Sequence, residues 1–135
     1  MNHRILMITS IILGLPVINN YIKTNDKMAI SVDVFLMITG VISIIFWEAP
    51  VRNGIRHKFD SIFAKLSITL TSLYILFYKQ NSILDKMLFS LGLFMMISFF
   101  ILSNSCSRLK WCSRNHVIVH AFFHLIIFVT LCESL

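Results

Sequence analysis

The sequence predicts an all-α integral membrane protein, a bundle of about five transmembrane helices. Of its 135 residues, 57% are hydrophobic and 13% are charged, and the mean hydropathy is +0.82. A chain of this size cannot bury so much apolar surface in a water-soluble core. Five apolar stretches are each long enough for the roughly 20 helical residues that cross a hydrocarbon core, and short polar links separate them.

The five predicted helices form a single domain over residues 1–135. No internal repeat or low-complexity segment divides the chain, and no part of it resembles a separate soluble domain. Five helices form only a thin wall around a cavity, which is compatible with a homo-oligomer. The predicted helices are Arg4–Ile22, Met28–Trp47, Asp60–Tyr78, Ile83–Ser103 and His116–Leu131.

The first apolar stretch has a second interpretation as a secretory signal. A short basic region that includes Asn2 and Arg4 precedes an apolar run, Ile5–Leu15, as in such signals. No small-x-small cleavage site follows, because Asn19 and Tyr21 stand where a small residue is expected. A retained helix is therefore the favoured interpretation.

The distribution of Lys and Arg predicts the orientation in the membrane. If five helices alternate, one side holds the N-terminus and the links 48–59 and 104–115, with more basic residues than the other side. The positive-inside rule then predicts a cytoplasmic N-terminus and a C-terminus outside the cytoplasm. The net charge of +6 indicates attraction to an anionic lipid leaflet and requires no nucleic acid. The richer side carries Arg4, Arg52, Arg56, Lys58, Arg108, Lys110 and Arg114, and the other Lys23, Lys27, Lys79 and Lys86.

Three histidines recur every fourth residue at the start of the last apolar stretch. His116, His120 and His124 would lie on one helix face, about 6 Å apart along the axis. Ionisable side chains inside a bilayer are costly, and a pair at i, i+4 can hold a metal ion from one helix. Two simpler interpretations stay open: His120 and His124 could hydrogen-bond to neighbouring helices, and His116 could be an interfacial residue.

The three cysteines do not predict a disulfide framework. Cys106 and Cys112 fall in a predicted cytoplasmic link, and Cys132 falls at the opposite end of the last helix. The spacing C-x5-C before His116 permits a zinc cluster, but the link is short and basic and would repel a cation. Free thiols or a lipidated cysteine are favoured.

Polar residues of three predicted helices fall at one depth, near the predicted cytoplasmic surface. The second helix ends in Ser43-Ile-Ile-Phe-Trp47, the third opens around His57-Lys-Phe-Asp60, and the last opens with His120-Ala-Phe-Phe-His124-Leu. This order of motifs resembles the signature of the CREST superfamily of membrane hydrolases. That group includes the alkaline ceramidases, the progestin and adipoQ receptors and the hemolysin III proteins. Its pattern is S-x3-H, then Asp, then H-x3-H.

Two departures from that pattern are present. The family has seven helices, whereas this sequence predicts five, so two are missing between the third and the last. Removal of an even number keeps the last helix in the same direction. The histidine of S-x3-H is replaced by Trp47, whose indole offers a hydrogen-bond donor only and cannot bind zinc.

The resemblance implies a zinc-dependent hydrolase of a lipid amide or ester, with its site on the cytoplasmic side. His120 and His124 would be zinc ligands, Asp60 would orient or deprotonate the attacking water, and Ser43 would be a donor near it. The third ligand stays open between His57, which is preferred, and His116. For Asp60 the simpler interpretation is a helix N-cap, and for Ser43 a hydrogen bond to its own backbone.

Two other functions are compatible with the same residues. The first is a non-catalytic relative of the CREST fold that binds or assembles with membrane components after losing the third ligand. The second is a small bundle that binds a transition metal or haem through its histidines.

Overall fold

A computed structural model describes residues 3–135, and it is an all-α bundle as predicted. Its described residues contain five α-helices and no β-strand. The third helix continues as a short π-helix, in which the backbone hydrogen bonds run to the fifth preceding residue. The elements are α1 (Arg4–Lys23), α2 (Lys27–Glu48), α3 (Ile55–Leu73) with its π-helical extension (Tyr74–Tyr78), α4 (Ile83–Leu109) and α5 (Arg114–Ser134).

All five helices are long and apolar enough to cross a membrane, by length and composition. This fits an integral multi-pass membrane protein. The stretch that also allowed a signal interpretation forms α1, whose Leu6 is fully buried in the bundle. Asn2, part of the basic region before it, lies outside the described residues.

Two helices extend further at one end than the sequence predicted. α3 begins at Ile55 and is N-capped by Gly54, so Asp60 lies in the second turn and the N-cap interpretation of Asp60 is wrong. Lys65 consequently stands about 15 Å from the start of its helix. α4 likewise continues to Leu109, six residues beyond the predicted end at Ser103, because Ser103 and its neighbours continue the helical hydrogen bonding.

The five helices pack as a row with two free ends. α1 lies in the middle and packs against α2 and α5, while α3 packs on α2 and α4 packs on α5. Along the described chain, α3 and α4 make little direct contact with each other, although the π-helical end of α3 contacts α4. The bundle is therefore closed at the end that holds the π-helix and open sideways between α3 and α4 elsewhere.

Two buried clusters stabilise the bundle, one at each end of its helices. The end that holds the starts of α1, α3 and α5 is called the basic end here, and its core contains Leu6, Phe46, Trp47 and Val117. The opposite end has a core formed by Ala29, Val32, Tyr74, Ile75 and Phe89. The space between these two clusters is not filled by side chains, and it forms the cavity described next.

Candidate functional site in a cavity between the helices

A cavity of about 630 Å³ lies inside the bundle, and residues of all five helices line it. Most of the lining is apolar, for example Leu13, Val17 and Ile44. A groove of about 190 Å³ between α3 and α4 shares Lys65 and Phe100 with the cavity, so the cavity reaches the side of the bundle. The predicted site residues all line this cavity: Ser43, His57, Asp60, His116, His120 and His124.

His124 is fixed by α1. Its Nδ1 lies 2.7 Å from the Thr9 hydroxyl oxygen, and the Thr9 hydroxyl donates its hydrogen to the Leu6 carbonyl at 3.1 Å. Because that proton is already used, the Nδ1–H of His124 is the donor to Thr9. The neutral ring then carries a lone pair on Nε2, which has no hydrogen-bond partner among the described residues.

His120 is fixed in the same manner by α4. Its Nδ1 lies 2.8 Å from the Ser103 hydroxyl, and its ring centroid lies 4.8 Å from that of His124. Its Nε2 likewise has no hydrogen-bond partner in residues 3–135. The interpretation in which both histidines hydrogen-bond to neighbouring helices is therefore confirmed, and each ring keeps one nitrogen for another ligand.

Asp60 and Ser43 lie together, as the resemblance implied, and a third hydroxyl joins them. The Asp60 carboxylate interacts with the Ser43 hydroxyl, which is 3.2 Å from the hydroxyl of Ser10. Ser10 in turn donates to the Leu6 carbonyl at 2.8 Å. Ser43 makes no bond to its own backbone, so that simpler interpretation of Ser43 is wrong; its hydroxyl interacts with Asp60 and Ser10 instead.

In both candidates for a third zinc ligand, the ring nitrogen that carries the lone pair already accepts a hydrogen bond. His57 Nδ1 accepts from the Asn53 backbone N–H at 3.3 Å, and His116 Nδ1 accepts from the Cys112 N–H at 3.2 Å. An N–H donor on Nδ1 requires the proton of a neutral imidazole to sit on Nε2. Neither ring then has a free lone pair. His116 is also only 3% exposed, and its interpretation as a residue at the membrane interface stays a prediction.

Two tryptophans pack against the histidines of the site. The Trp111 ring centroid lies 5.2 Å from that of His57 and 5.1 Å from that of His116. Trp47, at the position of the missing family histidine, lies 5.1 Å from His120, and its Nε1–H is buried without a partner. The bulky rings occupy the space that a third ligand would need.

The residues present do not fit a three-ligand zinc site. Within residues 3–135, no group of three His, Cys, Asp or Glu side chains is close enough to hold a metal ion. The same finding applies to the C-x5-C segment, where burial also raises the pKa of the Cys112 thiol and disfavours the thiolate that binds zinc. Zinc binding by His57, His120 and His124 stays a prediction from the sequence.

Comparison with protein-family models, with curated proteins and with solved structures gives no match for this chain.

Several polar residues that line the cavity or hold its histidines were not singled out from the sequence. Thr9, Ser10 and Ser103 lie within apolar stretches, where single hydroxyl residues usually bond to their own backbone. Their position in the sequence could have indicated them, because each falls within a few residues of the basic end, at the depth of the histidines. Arg52 and Arg108 were counted only for orientation, yet both line the cavity.

Proposed function

We propose that this chain is a multi-pass membrane protein that binds a membrane lipid inside its helical bundle, as a non-hydrolytic relative of the CREST fold. The observation that carries the proposal is the cavity of about 630 Å³ that opens sideways between α3 and α4. A gap between two membrane helices faces acyl chains, so an apolar chain can enter without crossing water. A volume in this range is typical of ligand pockets.

The polar groups at the basic end of the cavity provide hydrogen bonds for a lipid headgroup or carbonyl. The Nε2 lone pair of His124 accepts, the Trp47 indole N–H donates, and Nε2 of His120 donates or accepts according to its tautomer. A buried donor without a partner costs free energy that a bound acceptor would recover. With the positive-inside rule, the seven Lys and Arg near this end place it in the cytoplasm, so the lipid would come from the inner leaflet.

Lipid entry can be measured with the two tryptophans of the chain, Trp47 and Trp111, which both line the cavity. In vesicles of phosphatidylcholine brominated near the carbonyl end of one chain, we expect strong quenching of the tryptophan fluorescence. Gly40 lines the cavity and has nothing within 4 Å of a Cβ at its position. Gly40→Phe should therefore fill the cavity and reduce the quenching by at least about half, because it takes the space of the acyl chain.

The matched control is Ile38→Phe, which adds an aromatic ring to the exposed side of the same helix, where Ile38 is 45% exposed. This variant should be quenched like the unmodified protein. If Gly40→Phe is also quenched like the unmodified protein, the lipid lies outside the bundle and the proposal fails.

A zinc-dependent lipid hydrolase is the second candidate. One observation favours it: His120, His124 and the Asp60–Ser43 pair line the same cavity. Metal analysis of the purified protein separates the two candidates. We expect well below one zinc per chain, because at most two imidazoles have a free lone pair. About one zinc per chain, lost in a His120→Ala His124→Ala variant, would support the hydrolase and contradict the non-hydrolytic proposal, whereas a haem absorbance band would select the haem alternative.

A further inference from the structure

Three basic side chains line the cavity and its sideways opening without an anionic partner. Arg52 follows α2, Lys65 stands on α3 at the opening, and Arg108 lies in the last turn of α4. None of the three side chains forms a salt bridge or a hydrogen bond within residues 3–135. The carboxylate that lines the cavity, Asp60, interacts with Ser43 instead. The wall of this cavity therefore carries an uncompensated positive charge.

Of the three side chains, the unpaired charge of Lys65 costs the most free energy. It lies on a membrane-spanning helix about 15 Å from the first residue, and its side chain is exposed at the groove between α3 and α4. A cation without a partner on a membrane-spanning helix is costly in free energy, and such residues typically lie on the path of a ligand. A ligand that moves through this opening with a negative charge would neutralise Lys65.

From this distribution of charge we infer that the lipid of the proposed function is an anionic phospholipid, whose phosphate is held at the basic end by Arg52 and Arg108, while Lys65 attracts it at the sideways opening. Arg guanidinium groups bind phosphate oxygens through paired N–H donors, and Lys adds a mobile point charge. The unpartnered indole N–H of Trp47, a residue that is 1% exposed and lines the same cavity, supplies one further donor. One acyl chain then lies in the apolar part of the cavity. The inference rests on the proposed function, since it requires that a lipid enters the bundle.

The test compares two brominated lipids in vesicles, phosphatidylglycerol and phosphatidylcholine, with the tryptophan fluorescence as readout. Half-maximal quenching should require at least about fivefold less phosphatidylglycerol, since a single basic group near an anionic lipid contributes about that factor. The variant Arg52→Gln Lys65→Gln Arg108→Gln should lose this preference and still be quenched by both lipids.

A second variant, which removes the same number of positive charges, is the control for general attraction between a basic surface and an anionic membrane. Arg56, Lys58 and Lys110 are exposed at the same end and do not line the cavity. The variant Arg56→Gln Lys58→Gln Lys110→Gln should keep the preference for phosphatidylglycerol.

The possible outcomes separate the two proposals. Equal quenching of the unmodified protein by both lipids, or equal loss of preference in both triple variants, would overturn the anionic headgroup while leaving a lipid in the cavity. Quenching that Gly40→Phe does not reduce with either lipid would overturn the proposed function itself.

Discussion

Trp47→His is expected to turn this chain into a zinc-binding protein. The indole of Trp47 lies against the ring of His120, which in turn lies against His124, with centroid distances of 5.1 Å and 4.8 Å. An imidazole at this position would add the third nitrogen ligand that the described residues lack. It would also match the S-x3-H pattern of the CREST motif, which this sequence otherwise resembles.

The stability of the variant should change with the metal in a characteristic manner. Without zinc, loss of the buried indole should lower the free energy of unfolding by about 3 kcal/mol, as large-to-small substitutions in a core do. Zinc at about 100 times its dissociation constant should restore about 2.7 kcal/mol. Thermal unfolding with and without zinc, together with metal analysis, measures both effects, and the unmodified protein should respond to zinc in neither assay.

Two variants control this experiment. Trp47→Phe removes the indole without adding a ligand and should lose stability without gaining zinc. Trp47→His combined with His124→Ala has two imidazoles and should bind zinc weakly or not at all. Equal zinc content in Trp47→His and Trp47→Phe would show that the position does not face His120 and His124.

Gly92→Ala is expected to destabilise the packing of α4 on α5. A Cβ atom at Gly92 would overlap the Thr130 side chain, with the Thr130 Cγ2 atom only 2.8 Å away. The Thr130 hydroxyl is held by the Ile126 carbonyl at 2.8 Å, and Thr130 is buried, so its side chain cannot turn away freely. Small residues permit such close approach of membrane helices, and an added methyl group would push the two helices apart.

The loss should be about 2 kcal/mol, within the range for overpacked cores, and thermal unfolding followed by circular dichroism measures it. Gly40→Ala is the matched control, because a Cβ at Gly40 has no atom within 4 Å. That substitution should be neutral or slightly stabilising, since alanine is the better helix former. If both variants unfold at the same temperature, α4 and α5 do not approach each other at Gly92 as the structure describes.

The sequence by itself determined the class of fold and the number of helices. Apolar stretches of about 20 residues and polar links are local properties, and a membrane helix satisfies all its backbone hydrogen bonds within the segment. The ends of α3 and α4 were less well predicted, because the amphiphilic turns that contain His57 and Cys106 resemble links in composition. Helical hydrogen bonds continue through them nevertheless.

The spacing of His120 and His124 also placed both rings on one face, the polar positions predicted a shared depth, and the resemblance implied that Asp60 and Ser43 serve one site. What these side chains do depends on partners from other helices. Thr9 on α1 sets the proton position of His124, and the backbone N–H of Cys112 sets that of His116. No spacing within one helix carries that information.

The tertiary structure alone decided that the bundle is an open row. Whether α3 and α4 touch depends on the order in which five similar apolar helices pack, and their sequences do not distinguish one apolar neighbour from another. That packing order creates the sideways opening, places Lys65 at it, and leaves Trp47 rather than a third ligand beside His120. Contacts between distant segments define the cavity, whereas hydropathy along the chain defines only the helices that enclose it.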